Sequence, residues 1–441
     1  MERDELNTHK ASQASPGSFA RVLDFLGLDR NVMVMIAAVS LQGLGTQLWL
    51  GYTVKVLDAL KAAGWMIGFY GTTSTLMSAV APYPAGLLSD RLGRGRVLII
   101  ASVLALMGFA VYLVAPTWWM FIPGAILIRF AGSFRFMSSL ALTGDRLRER
   151  RRAVSIGIQS VFGRLPRVIS PPLGGILIAY MVTREKAGGT VSEEAVQTLG
   201  LLHGFRWAVG MTMALTVIAI VIQCRYYRLP PPKRDDSPLH PLQVLRHIRS
   251  DLKRLLLADS LVRIGSRLYM TFTPLYVLNI LGRGYVEWGS LQSVVAITSI
   301  ITYIPTAKLA DRSGRASRRP FIAATFLFFS IYPFALLLAP SAAWLIPVFI
   351  ISGLREAGEP ARKALIMDLA AQSSLGRQMG AYHMIRGIFM SMAPLFGGVL
   401  WGWNPRNPFI LGGAISMVGL LWFVLEGMFF RPRTQSTPDA E

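Results

Sequence analysis

Long apolar runs separated by short basic clusters dominate this chain and leave few folds open to it. Runs bounded by charged or turn residues fall at 31–54, 65–88, 97–115, 118–141, 155–180, 206–224, 255–280, 288–306, 321–339, 342–364, 379–401 and 408–429. Most come close to the roughly 20 residues a helix needs to cross the hydrocarbon core of a bilayer. In that medium only helices and closed barrels satisfy their own backbone polar groups. The pattern predicts an all-α polytopic membrane protein of twelve transmembrane helices. With 53% hydrophobic and 16% charged residues and a mean hydropathy of +0.46, it excludes a soluble globular domain, a disordered tail and a collagen-like rod.

A formal net charge of +21 would suggest a polyanionic partner in a soluble protein. Here its distribution reports topology instead. When basic residues at span ends are counted with the adjoining loop, thirty of the 45 Lys and Arg fall on one side and seven on the other. The positive-inside rule assigns the richer side, and both termini with it, to the cytoplasm. Nine of ten tryptophans, from Trp49 and Trp65 through Trp401 and Trp403, cluster at the opposite interface, where amphipathic rings prefer to sit. The expected location is the plasma membrane, the inner membrane of a bacterium. The partner is then the lipid bilayer and not a nucleic acid.

The first thirty residues lack the basic, apolar and cleavage regions of a signal peptide, so the first span is expected to act as an uncleaved anchor. The single cysteine, Cys224, excludes an intramolecular disulfide and a multi-cysteine metal site. Neither a cofactor nor a metal is expected. The absence of a Walker loop, a Gly-x-Ser-x-Gly elbow and a His-rich cluster argues against an enzyme.

Domain organisation follows from the charge pattern. Residues 1–30 form a cytoplasmic segment, 31–224 a first group of six spans, 225–254 a cytoplasmic linker, 255–430 a second group of six, and 431–441 a tail. The linker holds Pro230, Pro231, Pro232, Pro238 and Pro241, then Leu245, Ile248, Leu252 and Leu255 at helical spacing among Arg246, Arg249 and Lys253. It reads as a hinge followed by an amphipathic helix on the inner leaflet, or as a solvated linker in its first half. Residues 182–205 form the one long external loop, with 190–202 a possible helix.

Three sequence blocks recur in the same order. Gly86-Leu-Leu-Ser-Asp90-Arg91-Leu-Gly93-Arg94 returns as Ala307-Lys-Leu-Ala-Asp311-Arg312-Ser-Gly314-Arg315. Arg129-Phe-Ala-Gly132 returns as Arg355-Glu-Ala-Gly358, and Pro171-Pro-Leu-Gly174-Gly175 as Pro394-Leu-Phe-Gly397-Gly398. The offsets of 221, 226 and 223 residues imply two parallel halves. With the Gly-x-x-x-Asp-Arg-x-Gly-Arg loop between spans two and three and its second copy after span eight, the chain resembles the major facilitator superfamily. That resemblance implies two six-helix bundles related by a pseudo-twofold axis, alternating access by a rocker-switch motion, and a gate latch built on the two loops. It also implies that spans one, four, seven and ten line a central cavity. The Gly157…Pro171-Pro-Leu-Gly174-Gly175 pattern resembles the family's antiporter motif but carries Pro166 and Ser170 where glycines are usual, and close helix packing explains it as well.

Eight arginines lie within the spans: Arg129, Arg135, Arg164, Arg167, Arg263, Arg267, Arg355 and Arg386. Each costs on the order of 2.5–3.5 kcal/mol at the bilayer centre unless a partner, a cavity or an interface relieves it. Arg135, near a span end, is expected to snorkel. Pairing of Glu359 with Arg386 and of Asp259 with Arg263 is expected from depth and spacing. The remaining positive charge suggests a water-filled cavity that holds an anion, because guanidinium forks match carboxylate and phosphate.

The candidate substrate-binding residues are Gln42, Gln47, Arg129, Arg167, Arg263, Arg267, Tyr269, Arg355 and Glu356. Arg129 and Arg355, related by the repeat, are candidates to face each other. Glu359, His383 and Arg386 are candidates for proton coupling or ion pairing. The function expected is a monomeric secondary transporter for an organic or phosphorylated anion. The alternative is a proton-coupled efflux pump for drugs or amphiphilic lipids.

Overall fold

A computed structural model of the chain describes residues 30–146, 149–187, 192–227, 250–312, 314–369 and 375–429. The proline-rich linker, the N-terminal segment and the C-terminal tail lie outside these residues. Among the described residues there is helix and no strand.

The helices of the N-terminal half are α1 (Arg30–Trp49), α2 (Thr53–Ala59), α3 (Gly64–Val80), α4 (Pro82–Leu92), α5 (Arg94–Val114), α6 (Phe121–Arg146), α7 (Glu149–Ala187) and α8 (Glu193–Tyr226). Those of the C-terminal half are α9 (Ser250–Met270), α10 (Tyr285–Arg312), α11 (Gly314–Leu337), α12 (Ala342–Leu354), α13 (Glu359–Leu369), α14 (Leu375–Ser391), α15 (Ala393–Trp403) and α16 (Asn407–Phe429). Among the described residues, eight stretches are long and apolar enough to cross a membrane, including Gly95–Val114, Glu193–Tyr226 and Asn407–Glu426.

The expected spans outside those eight are the interrupted or polar ones. The 65–88 run divides at Ala81 between α3 and α4. The 255–280 run leaves α9 at Met270 and continues through a short turn into a π-helix at Tyr276–Ile280. The 342–364 run opens over residues 355–358 between α12 and α13. The fourth, 288–306, lies in the unbroken α10, with Ser, Thr and Gln along it and Pro305 inside. Breaks of this kind expose backbone groups, which neighbouring helices must satisfy. Here the Gly358 N–H donates to Thr325 Oγ1 at 2.8 Å, and the Thr306 hydroxyl donates to the Ala357 carbonyl at 2.7 Å.

The expected loop over 182–205 is shorter than its bounds, a correction, while the helix expected within 190–202 is present as the start of α8. α7 runs on to Ala187 and α8 starts at Glu193, tied together by His203 Nδ1 and Glu185 at 2.8 Å. Glu193 and Glu194 in the first turn of α8 suit its positive end.

Most packing stays within each half of the sequence: α8 lies on α1, α5 and α7 in the first, and α16 on α9 and α11 in the second. The halves meet along two seams, α7 with α10 and α3 with α14 and α15. At the end away from the 86–96 and 307–315 loops, called the distal end below, the seams are tightly closed. The Tyr52 hydroxyl sits between the carbonyl oxygens of Pro171 (2.8 Å) and Tyr285 (3.0 Å). Trp288 Nε1 donates to the Gly51 carbonyl at 3.0 Å, and Asn279 Nδ2 to Asp58 Oδ2 at 3.0 Å. Gly64 and Gly398 bring their backbones so close that neither position has room for a Cβ. Burial, with the nearby Asp58 charge, pushes the Tyr285 phenol up to about 12, so it stays neutral at physiological pH.

The tryptophans differ in burial. Trp65, Trp119, Trp207, Trp344 and Trp403 are exposed, as an interfacial belt requires. Trp49 and Trp288 are instead core residues. Trp49 meets Phe109, Tyr112 and Phe205 edge-on with centroids 5.4–5.9 Å apart, and its Nε1 donates to Thr212 Oγ1 at 3.1 Å.

Candidate functional site

Three groups of charged side chains occupy the helix interior, and each draws on different elements. The first is in the N-terminal half. Arg129 on α6 donates from Nε to Ser74 Oγ on α3 at 2.6 Å. One and a half turns on, Arg135 turns inward and donates to Gln42 Oε1, so the expected snorkelling does not occur. The Gln42 amide passes the chain on to Ser102 Oγ at 2.8 Å, and Ser102 reaches Gln223 Oε1 at 3.0 Å. An inward acceptor on α1 offers Arg135 a nearer partner than the membrane surface. Gln42, 2% exposed, is thereby spent on tying α1, α5, α6 and α8 together. Gln47 is half-buried on the same helix.

The second group joins α9, α13 and α14. Asp259 is fully buried and accepts from Arg362 Nη1, Arg386 Nη1 and the Tyr382 hydroxyl, each at 2.8 Å. Arg263 reaches the same carboxylate at 3.5 Å, as its spacing predicts, and also binds Glu359. Arg362 closes the ring with Nη2 at 2.6 Å from Glu359. Glu359 thus pairs with Arg263 and Arg362, while Arg386 goes to Asp259; the expected Glu359–Arg386 pair is replaced. The break before α13 is the physical reason, because it returns the chain into helix at Glu359 and sets that carboxylate opposite α9. His383 is half-buried with its ring edge-on to Tyr382.

The third group lies at the break in the tenth span. Arg355 is 7% exposed and sits within 5.1 Å of the Phe329 ring and 4.7 Å of the Tyr332 ring. Its Nε donates to the Ser352 carbonyl at 2.8 Å, Nη2 binds Ser352 Oγ, and Nη1 lies 3.5 Å from the Tyr269 hydroxyl. Tyr269 is itself buried, donates to the Phe329 carbonyl at 3.1 Å and stacks on Phe409. Arg129 and Arg355, which the repeat relates, therefore each bind within their own half.

Glu356, the next residue, points across the seam. It accepts from Ser299 at 2.8 Å and lies 3.7 Å from Arg164 and 4.0 Å from Arg167, both on α7. Arg164 also donates to Ser299 and covers the Tyr303 ring at 4.0 Å.

Arg267 stands apart from all three groups. Among the described residues it has no hydrogen-bond or ion-pair partner, and it feels the like charges of Arg129, Arg263, Arg386 and Arg355. Arg129 comes from the N-terminal half and the other three from the C-terminal half. A guanidinium unmatched in such surroundings is a ready anion site.

At the repeated loops, Gly93 has φ +86°, a left-handed conformation that favours glycine, and it turns the chain from α4 into α5. Gly86 lies in open space and Arg91 is exposed. The side chains of Asp90, Arg94, Asp311, Arg312 and Arg315, and the surroundings of Gly314, lie outside the described residues. Cavities of about 410 and 540 Å³ open at the distal end, sharing Lys55, Gln197 and Tyr285 as walls; Arg283 lines the larger, and none of the candidate binding arginines lines either.

Arg362, Ser299, Tyr303 and Tyr382 are absent from the sequence-based candidates. Arg362 could have been found from its spacing of three after Glu359; the others carry no signal beyond a polar residue on a span.

A polytopic helical membrane protein with repeated halves, broken helices and charged residues across its inter-half seam has the make-up of a membrane transporter. The sequence profile of the Major Facilitator Superfamily matches residues 31–354 and 255–441, and the chain belongs to that family. It is a transporter and not an enzyme. Among solved structures it is similar to the nucleoside transporter NupG, with a TM-score of 0.68 at 14% identity over 90% of this chain and 100% of that one. A POT family transporter in complex with 5-aminolevulinic acid superposes with a TM-score of 0.69 at 12% identity, covering 90% and 96% of the two chains. A bacterial homologue of the human lysosomal transporter Spinster, inward-facing and occupied, gives 0.67 at 13% identity over the same shares.

Proposed function

We propose that this protein is a secondary transporter for an organic or phosphorylated anion. It works by alternating access between two six-helix bundles, twelve spans in all, with both termini in the cytoplasm. The observation that carries the reading is Arg267, unmatched among the described residues and within electrostatic reach of Arg129 of the opposite half. An anion placed between them joins the halves through charge-assisted hydrogen bonds, each worth about 1.5–3 kcal/mol. Binding then favours the conformation that brings the halves together around it, and only such differential binding can drive a conformational change. Glu356, Arg164 and Arg167 add a further charged contact between the halves. Arg263, Arg355, Arg362 and Arg386 are held by protein partners and set the positive potential of the site.

The similar structures carry different cargoes by their descriptions, so the fold leaves the cargo open and the arginines carry the assignment. Uptake of phosphate monoesters and dicarboxylates into proteoliposomes tests it. R267Q should lower anion uptake roughly ten- to hundredfold, the loss of one charged hydrogen bond. Unchanged uptake of every such anion in R267Q, with export of amphiphiles intact, would favour a proton-coupled efflux pump instead.

A further inference from the structure

The carboxylate of Glu356 is the only one among the described residues that pairs with cations of the opposite half within the helix interior, and its setting is unusual. It rises from the 355–358 turn between α12 and α13, where i→i−3 bonds replace the α-helical ladder: the Glu356 N–H donates to the Gly353 carbonyl at 3.2 Å and its carbonyl accepts from the Glu359 N–H at 3.3 Å. The carboxylate's single close bond is to Ser299 at 2.8 Å, while Arg164 and Arg167 stand at 3.7 and 4.0 Å, the outer limit of an ion pair. The Glu356 side chain is 38% exposed and that of Arg167 53%, against 0% for Asp259 and 3% for Arg362 in the neighbouring buried ring. A pair so loose and open contributes little to folding. It does neutralise two α7 guanidiniums whose forks would otherwise accept a diffusing carboxylate or phosphate.

We propose that Glu356 is a tethered surrogate for the cargo, occupying Arg164 and Arg167 in the empty protein until a free anion displaces it. Arg164 and Arg167 then form a second anion station, on the seam of α7 with α10, open only when Glu356 swings away. This rests on the anion-transport reading and adds a selectivity device to it. A monoanion with one weak oxygen pair exchanges poorly against a carboxylate already in place. A phosphate or dicarboxylate, which brings more charge and more acceptors, exchanges well. The apparent affinity of the station falls by the fraction of time it is free, so removing the tethered charge raises that affinity.

The test uses purified full-length protein titrated with inorganic phosphate and with succinate, followed by thermal shift, in wild type, E356Q and E356D. Glutamine keeps the size of the side chain and a hydrogen bond to Ser299, so folding is preserved. The expected result is a midpoint for stabilisation about three- to tenfold lower in E356Q than in wild type, the free fraction rising towards one. E356D, which keeps the charge, should stay near wild type. The gain should vanish in E356Q/R164Q/R167Q, where the station is absent. An unchanged or raised midpoint in E356Q, or a gain that survives in the triple variant, overturns the surrogate role while leaving anion transport standing. If neither wild type nor E356Q responds to either anion, both readings fall. Loss of the response in R267Q, with the E356Q gain present in its own background, supports two separate stations.

Discussion

Asp259 and Arg362 meet at 2.8 Å with their side chains 0% and 3% exposed, and two further arginines, Arg263 and Arg386, close on the same carboxylate. One buried acid therefore organises three cations on three helices. Taking these charges out of water is unfavourable by several kcal/mol per ion, and the ring holds only because every member has a partner. D259N should leave three guanidiniums facing one remaining acid, Glu359. The expected loss is about 3–5 kcal/mol of stability, read as a fall in melting temperature of purified protein or a failure to accumulate. R386M removes one of the three cationic partners of a still-satisfied Asp259 and should be clearly milder. Equal losses in the two variants would show that the acid is not the centre of the ring.

Arg355 and Arg267 make opposite predictions despite their shared charge. Arg355 fills an aromatic pocket of Phe329, Tyr332 and Tyr269 and bonds the Ser352 carbonyl. R355K keeps the charge but loses the planar fork and its stacking, so it should lower stability by about 1–3 kcal/mol. R267Q breaks no hydrogen bond seen among the described residues and relieves repulsion from four arginines. Its melting temperature without ligand should rise. A stability loss in R267Q comparable to that of R355K would show that Arg267 is structural.

The long spans, the repeated blocks and the surplus of buried arginine are legible in the chain itself, because each is a matter of period, order or count. The partners of the charges are not. Arg362 sits at the margin of an apolar run and reads as a loop residue, yet the break at 355–358 carries it into the core beside Asp259. Gln42 looks like a polar residue aimed at a cavity because nothing in the sequence places Arg135, Ser102 and Gln223 around it. Equal spacing in the two halves suggested that Arg129 and Arg355 face each other, but local acceptors on Ser74 and Ser352 are nearer. Depth along a helix can be counted from the sequence; rotation about its axis at a break cannot.

The break itself makes a prediction. Gly358 packs where a Cβ would collide with the Phe321 carbonyl and Thr325 Oγ1 on α11, and its N–H donates to that hydroxyl. G358A should force α11 and α13 apart and lower stability by about 1–3 kcal/mol, the usual effect of overpacking. T325V removes the acceptor while keeping the shape and should lower stability by about 1–3 kcal/mol through the unsatisfied amide. Thermal unfolding of the two variants measures both effects, and a wild-type melting temperature for G358A would mean that the segment is not fixed by this contact.

Gly174 and Gly175 are chain neighbours with different surroundings, which separates stability from conformational preference. A Cβ at Gly174 would strike the Leu48 carbonyl within the same half, a contact that no motion between the halves relieves. G174A should therefore unfold at lower temperature in every conformation. A Cβ at Gly175 would strike the Tyr285 carbonyl of the opposite half and the Tyr52 hydroxyl of its own half, the group that bridges the seam. Opening the distal end removes the Tyr285 collision and releases the Tyr52 hydroxyl from its bond across the seam, so that its ring can shift; G175A should favour the open state. Gly289 meets the Pro171 carbonyl across the same seam, and G289A should behave alike. The measurement is maleimide labelling of a Gln292→Cys reporter in a background with the exposed Cys224 replaced by serine. Gln292 lies against Gly51, next to the Trp288 bridge, so labelling reports opening of the seam. Faster labelling is expected in G175A and G289A with melting temperatures near wild type, and slower or unchanged labelling in both would show that the distal seam does not open during the transport cycle.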